Sequence, residues 1–308
     1  MNAQTPAASH GIAIQAVDLV KDYGTGDNTV HALRNVNVSF ERGKFTAIMG
    51  PSGSGKSTLM HTLAGLDSAT SGHILFGGAD LTRMNDKQLT LLRRHKIGFI
   101  FQSFNLLPMF TAEQNILMPL TLAGDKPDRA WFDLLVETLG LKQRLNHRPN
   151  ELSGGQQQRV AIARALITKP KLVFADEPTG NLDSVSSAEV LGFLKRSVNE
   201  LGQTIVMVTH DAVAASYADR AIVFSDGRIV ADEQHPNAEV MNELLMAERE
   251  RTTRTTLTDT PADQMAQMAG VRNVPDLPIT DAPLPPAVPT SGCEGTLRHA
   301  RAAARHAR

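Results

Sequence analysis

The sequence predicts an α/β fold, with a parallel sheet flanked by helices, a mostly helical insertion, and antiparallel strands ahead of the core. Three observations carry this. KFTAIM (44–49), KIGFIF (96–101), KLVFA (171–175) and TIVMVT (204–209) are short apolar runs, as expected of strands buried on both faces. A glycine-rich stretch, GPSGSGKST at Gly50–Thr58, follows the first run and leads into a helical pattern. Between Gln102 and Arg159 the spacing of apolar residues becomes helical.

In chain order, residues 1–11 read as a disordered leader. MNAQTPAASHG has neither a basic start nor an apolar run, so no signal peptide is expected. IAIQAVDLVKDY and VHALRNVNVSF alternate apolar and polar positions, as edge or half-buried strands do, with turns at TGDN and ERGK. STLMHTLAGL has helical spacing. In the insertion, TAEQNILMPL begins with a Thr111–Gln114 cap, and DRAWFDLLVETLG closes at Gly140. QQQRVAIARAL is preceded by Ser153, which with Gln156 has capping-box spacing. Gly154 and Gly155 between them cost helix stability, and glycines at a helix N-terminus let an anion approach the backbone.

Composition shifts near residue 247. Half of the 16 prolines lie from Pro236 onward, and 247–308 has no sustained period, so it reads as a disordered tail. Its end, RHARAAARHAR, puts Arg298, Arg301, Arg305 and Arg308 on one helical face. A solvated basic tail is the ordinary reading of such a run, and contact with anionic lipid or RNA the sharper one. The net charge of −1 gives no overall pull toward nucleic acid. The single cysteine, Cys293, excludes an internal disulfide framework. The most apolar window, LLPMFTAEQNILMPLTLAG, carries Glu113, two prolines and several amides, which argues against a membrane span.

The chemistry starts at GPSGSGKS, which fits G-x-x-x-x-G-K-[ST] with Gly50, Gly55, Lys56 and Ser57. Backbone N–H groups from Gly53 to Thr58 would ring a β-phosphate, Lys56 would neutralise β/γ oxygens, and the Ser57 hydroxyl would ligate Mg²⁺. KLVFADEP ends a buried strand in Asp176, placed to hold the Mg²⁺ shell, with Glu177 beside it as general base or water-positioner. Two acids at a strand end are as often solvated loop, and it is the phosphate loop that tips the reading. His210 follows TIVMVT; such a histidine is ordinarily a satisfied residue, and beside a nucleotide it can bond the γ-phosphate. Gln102 closes another strand, where its amide can reach Mg²⁺ or the attacking water. Tyr23 can stack on adenine.

In this order, GPSGSGKST, Gln102, LSGGQ, KLVFADEP, GNLD (Gly180–Asp183) and His210 resemble the nucleotide-binding subunits of ABC transporters. The resemblance covers roughly Ile12 to Met246 and implies a P-loop NTPase ABC cassette. Such a cassette has a RecA-like parallel-sheet core, an antiparallel β subdomain and a helical subdomain at about 103–165. It implies ATP and Mg²⁺ as ligands, with Tyr23, Gly50, Ser52, Gly53, Ser54, Gly55, Lys56, Ser57 and Thr58 on the ATP. Mg²⁺ would be held by Ser57, Gln102 and Asp176, and catalysis carried by Glu177, His210 and Gln102. The signature residues Ser153, Gly154, Gly155 and Gln156 would bind the ATP of a second copy of the chain in a head-to-tail sandwich. Asp183 would lie at the dimer seam.

YGTGDNTVHALRNVNVSF, FQSFNLLP and ADEPTGNLDS are most similar to the macrolide-exporter and lipoprotein-releasing branch. That similarity implies a partner permease of the FtsX/MacB-like type with a large extracytoplasmic domain, placing the chain at the cytoplasmic face of the plasma membrane. Export or release driven by ATP hydrolysis is the leading expectation. A cell-division-type ATPase that transmits force to wall hydrolases would use the same motifs. A soluble ABC protein acting on DNA or ribosomes typically has two cassettes or a coiled-coil insertion. A non-hydrolysing scaffold would not need Glu177 and His210.

Overall fold

In the computed structural model, residues 11–258 are described. The core is a six-stranded sheet containing β3 (Phe45–Met49), β6 (Ile97–Phe101), β7 (Leu172–Asp176), β8 (Ile205–Val208), β9 (Arg220–Ser225) and β10 (Arg228–Gln234). Its order is β10-β9-β3-β8-β7-β6; all neighbours are parallel except the β9–β10 hairpin. The four apolar runs in the sequence form β3, β6, β7 and β8. Alternate residues on each strand go to opposite cores. Val173 and Ala175 of β7 pack with Ile205 and Met207 of β8 on one face, while Leu172 and Phe174 pack with Val206 and Val208 on the other. Burial on both faces is why these strands read as continuous rather than alternating runs.

A four-stranded antiparallel sheet, order β2-β1-β4-β5, is formed by β1 (Ile12–Tyr23), β2 (Val30–Glu41), β4 (Ser71–Phe76) and β5 (Ala79–Asp80). β1 has the expected bounds, but it pairs on both sides and so is an inner strand. Its buried Ile14, Ala16 and Leu19 share a core with α1 (Lys56–Leu63) and with one face of the parallel sheet. α2 (Asp86–Lys96) connects this region to β6.

The helical stretch contains α3 (Ala112–Ala123), α4 (Arg129–Thr138) and α5 (Gly154–Leu166). Thr111 and Gln114 form the expected capping box on α3, and Gly140, φ +64°, follows the end of α4. α5 is buried along most of its length against the second face of the parallel sheet, alongside α6 (Ser184–Leu201). A short helix, α7 (Ala212–Ala215), follows β8, and the described chain ends in α8 (Ala238–Thr258). α8 runs through residue 247, where the composition shifts: Met241 and Leu245 bury into the core, and Met246 and Ala247 after them are exposed. The leader up to residue 10, the tail beyond 258 and its basic stripe lie outside the described residues. Among the described residues no helix is long and apolar enough to cross a membrane.

Candidate active site at the carboxyl edge of the parallel sheet

The register of the sheet builds the site. Ile48, Val208, Asp176 and Phe101 are lateral neighbours across β3, β8, β7 and β6. One or two residues past that row lie Gly50, His210, Glu177 and Gln102. Four segments spread over some 160 residues of sequence therefore open at one edge, the place where parallel α/β sheets bind ligands.

The glycine-rich loop joins β3 to α1. A Cβ on Gly50 (φ +150°) would stand 1.9 Å from the carbonyl oxygen of Phe224, and one on Gly55 (φ +103°) 2.5 Å from that of Ala32. Both motif glycines are thus demanded by the chain's own packing. The Gly227 N–H donates to Ser54 O at 3.0 Å and pins the loop to the β9–β10 turn. α1 starts after Gly55, which offers no side-chain cap, so the first-turn N–H groups are left free at the positive end of the helix dipole. The Ser54 hydroxyl is buried without a hydrogen-bond partner among the described residues. Lys56 Nζ donates to the carbonyls of Gly50 (2.9 Å) and Pro51 (2.7 Å). Burial lowers the Lys56 pKa, opposed by Glu177 and Asp176. An uncapped helix start, an orphaned hydroxyl and a buried ammonium suit a polyphosphate.

Ser57 Oγ lies 3.5 Å from Asp176 Oδ1. Burial raises the Asp176 pKa, with His61 opposing it and Glu177 adding to it. Glu177 has a left-handed backbone, φ +45°, unusual for a glutamate. Its Oε1 is 2.9 Å from His210 Nδ1. The structure thus brings Glu177 and His210 into contact, and the histidine is engaged with this acid. Gln102 reaches the next loop: its Nε2 donates to Asn181 Oδ1 at 3.4 Å, and Asn181 Nδ2 donates to Gln102 O at 3.0 Å. Tyr23 leaves its ring partly open, 41% exposed, while its hydroxyl donates to Asp67 Oδ2 at 2.5 Å.

At the start of α5, Ser153 and Gln156 form the capping box: Gln156 N–H donates to Ser153 Oγ (3.3 Å) and Ser153 N–H to Gln156 Oε1 (3.1 Å). The two glycines differ. A Cβ on Gly155 would meet Ser186 Oγ at 2.8 Å, whereas one on Gly154 would find only ordinary contacts from 3.5 Å. Gly155 therefore has a packing reason within the chain, and only Gly154 is left unexplained by it. Asp183 caps α6, accepting from Val185 N–H and Ser186 N–H at 3.0 Å and from the Ser186 hydroxyl at 2.7 Å. Those bonds, led by the Ser186 N–H, lower its pKa. Among the described residues no hydrogen bond joins Ser153–Gln156 to the loop 50–58.

The sequence singles out neither Gln158 nor Ser186, and Asn181 enters only within GNLD; each contacts the site. Gln158 carried a signal: it falls on the apolar face of α5 with Ala161, Ile162 and Ala165, where a polar side chain needs a partner.

A sequence profile of the family described as ABC transporter matches residues 33–180. The lipoprotein-releasing system ATP-binding protein LolD of Geobacter metallireducens is 49% identical over 221 residues, covering 71% of this chain and 98% of that protein. The chain belongs to the ABC transporter family. The macrolide export ATP-binding/permease protein MacB of Syntrophobacter fumaroxidans is 49% identical over 220 residues, 70% of this chain, which matches only 31% of that longer protein. A dimeric ATP-binding cassette solved in a post-hydrolysis state with ADP and Pi is similar at a TM-score of 0.66 and 40% identity, covering 73% of this chain and 99% of that one. This ABC protein is thus an ATPase of the LolD/MacB-like branch with the P-loop NTPase ABC fold.

Proposed function

We propose that this ABC ATPase is the ATP-binding and ATP-hydrolysing subunit that drives export or release through a partner permease with a large extracytoplasmic domain. The observation that carries the catalytic part is the common edge reached by Gly50–Thr58, Gln102, Asp176, Glu177 and His210, with Glu177 in contact with His210. Lys56 exchanges its two loop carbonyls for β/γ-phosphate oxygens, and the N–H groups around Gly53–Thr58 hold the β-phosphate. Ser52 and Ser54 line the loop, and Tyr23 meets the adenine. Glu177 accepts the proton of the attacking water or orients it, and His210 orients Glu177 and the γ-phosphate. Gln102 senses the γ-phosphate side and the helical stretch together.

Ser57 and Asp176 offer hard oxygens of the kind Mg²⁺ takes, joined by the Gln102 amide oxygen. When bound there, Mg²⁺ would supply positive charge that offsets the negative charge of the nucleotide's phosphates. Among the described residues no group of three His, Cys, Asp or Glu could hold a metal.

Ser153, Gly154, Gly155 and Gln156 bind the nucleotide of a second copy, related by a two-fold axis, with Asp183 at the seam. The dimeric solved relatives support that assembly. We take the nucleotide-binding domain as about 12–246, with its helical subdomain at about 103–165, and the flanking segments as leader and tail. The permease is of the FtsX/MacB-like type, and the ATPase sits on it at the cytoplasmic face of the plasma membrane. The test of the site is Glu177→Gln: ATP binding is retained and steady-state turnover falls by about 10²-fold or more. Turnover at the parent rate would remove Glu177 from its role.

A further inference from the structure

Gln158 is fully buried on α5, and its Nε2 donates to the carbonyl oxygen of Pro178 at 2.6 Å. Pro178 follows Glu177, whose left-handed backbone costs free energy and persists only where its surroundings fix it. Two other hydrogen bonds hold the backbone of Glu177 itself: Glu177 N–H to Val208 O at 2.9 Å, from β8, and Gly180 N–H to Glu177 O at 3.0 Å, within the turn. The Gln158 amide holds the next residue, and of the three bonds it alone comes from α5.

The rest of the amide is poorly served. Gln158 Oε1 is buried with no partner among the described residues. Rotating the amide would set Oε1 against Pro178 O, two acceptors face to face, so the orientation is fixed by the carbonyl. An apolar side chain of similar shape would carry no such orphaned acceptor, so stability alone does not account for an amide here. What the amide uniquely supplies is a donor aimed at the residue next to the catalytic carboxylate.

We infer that Gln158 is a positioning residue for Glu177, tying the start of α5 to the turn that aims the carboxylate. The tie has a second strand: Gly155, one turn earlier, abuts Ser186, whose hydroxyl donates to Asp183 at the far end of the same loop. A displacement of the α5 N-terminus, the part proposed to meet the partner's nucleotide, is thereby handed to the chain's own Glu177. This inference rests on the proposed role of Glu177.

The test is steady-state ATP hydrolysis by full-length Gln158→Met, which keeps the shape and removes the donor. The variant leaves Pro178 O unsatisfied but also removes the orphaned Oε1, so its melting temperature stays near the parent's. kcat falls by about ten- to hundredfold while KM for ATP moves less than about twofold. The ring resonances of His210 shift in the NMR spectrum, although residue 158 does not touch that ring. An unchanged kcat with unchanged His210 resonances overturns the inference, as does a loss confined to KM. Should Gln158→Met fail to fold, Gln158→Asn, one methylene short of Pro178 O, is measured in its place. Glu177→Gln run in parallel separates the two failures. If that variant turns over normally, the site reading falls; if it is inactive while Gln158→Met is normal, only the tie falls.

Discussion

At the scale of single residues, the site buries a carboxylate at a cost to the fold. Asp176 is largely buried, and its hydroxyl and imidazole neighbours stand at 3.5 and 4.0 Å, too far to compensate fully. Burial, the largest cause, raises its folded-state pKa above the usual 3.8. The folded chain therefore binds the Asp176 proton more tightly than the unfolded chain. Stability is lost as pH rises from the unfolded pKa through the folded one, and stays lost at neutral pH. Asp176→Asn removes that penalty. The expected outcome in calorimetry at pH 7 without nucleotide is a higher melting temperature, by about 2–4 °C for each kcal/mol relieved. The gap to the parent closes as the pH drops below the unfolded-state pKa; a lower melting temperature at pH 7 would refute the argument. Residue types of this kind were legible in the sequence, because a lysine in a glycine loop has few other uses and that loop tips the reading of the paired acids, which alone are as often solvated loop. The left-handed backbone of Glu177 was not legible, since it depends on Val208, Gly180 and Gln158 acting from three directions.

At the scale of elements, what could be read was what local chemistry dictates. The Thr111–Gln114 and Ser153–Gln156 boxes and the doubly buried β3, β6, β7 and β8 are written in neighbouring residues, whereas β9, equally buried, is not among the apolar runs read as strands. β10 was missed because its burial merely alternates between partial and exposed, and α2 because none of its residues is buried and only the Asn85–Gln88 cap marks it. The double glycine on α5 shows a further limit: its two positions look equivalent in sequence and differ in space. Ala at 155 must push Ser186 aside and disturb the Asp183 cap, whereas Ala at 154 has room. Gly155→Ala is thus expected to lower the melting temperature by about 2–4 °C per kcal/mol of strain. Gly154→Ala should melt like its parent yet weaken ATP-dependent dimerisation in a Glu177→Gln background, about tenfold for each 1.4 kcal/mol lost. Calorimetry reads the melting temperatures, and sedimentation with and without ATP reads the dimerisation. Equal melting temperatures for the two variants would contradict the packing argument, and unimpaired dimerisation of Gly154→Ala would contradict the close approach.

At the scale of the whole molecule, the strand order decides which distant segments meet. β8 lies between β3 and β7 although it comes last of the three in sequence, and this sets His210 between the phosphate loop and Glu177. The start of α5 has no hydrogen bond to that loop among the described residues, and in the proposed dimer it would meet the loop of the second copy. ATP that binds only the joined form stabilises it by mass action, and hydrolysis withdraws the bridging charge. A variant that binds but does not hydrolyse should therefore hold its assembly closed. Tagged Glu177→Gln chain incubated with membranes, ATP and Mg²⁺ is expected to retain an integral membrane protein with a large extracytoplasmic domain, and to release it when ATP is omitted. The character of that domain separates export or release from force transmitted to wall hydrolases. Retention of ribosomes or DNA in place of a membrane protein would leave the ATPase standing and remove the transporter from its function.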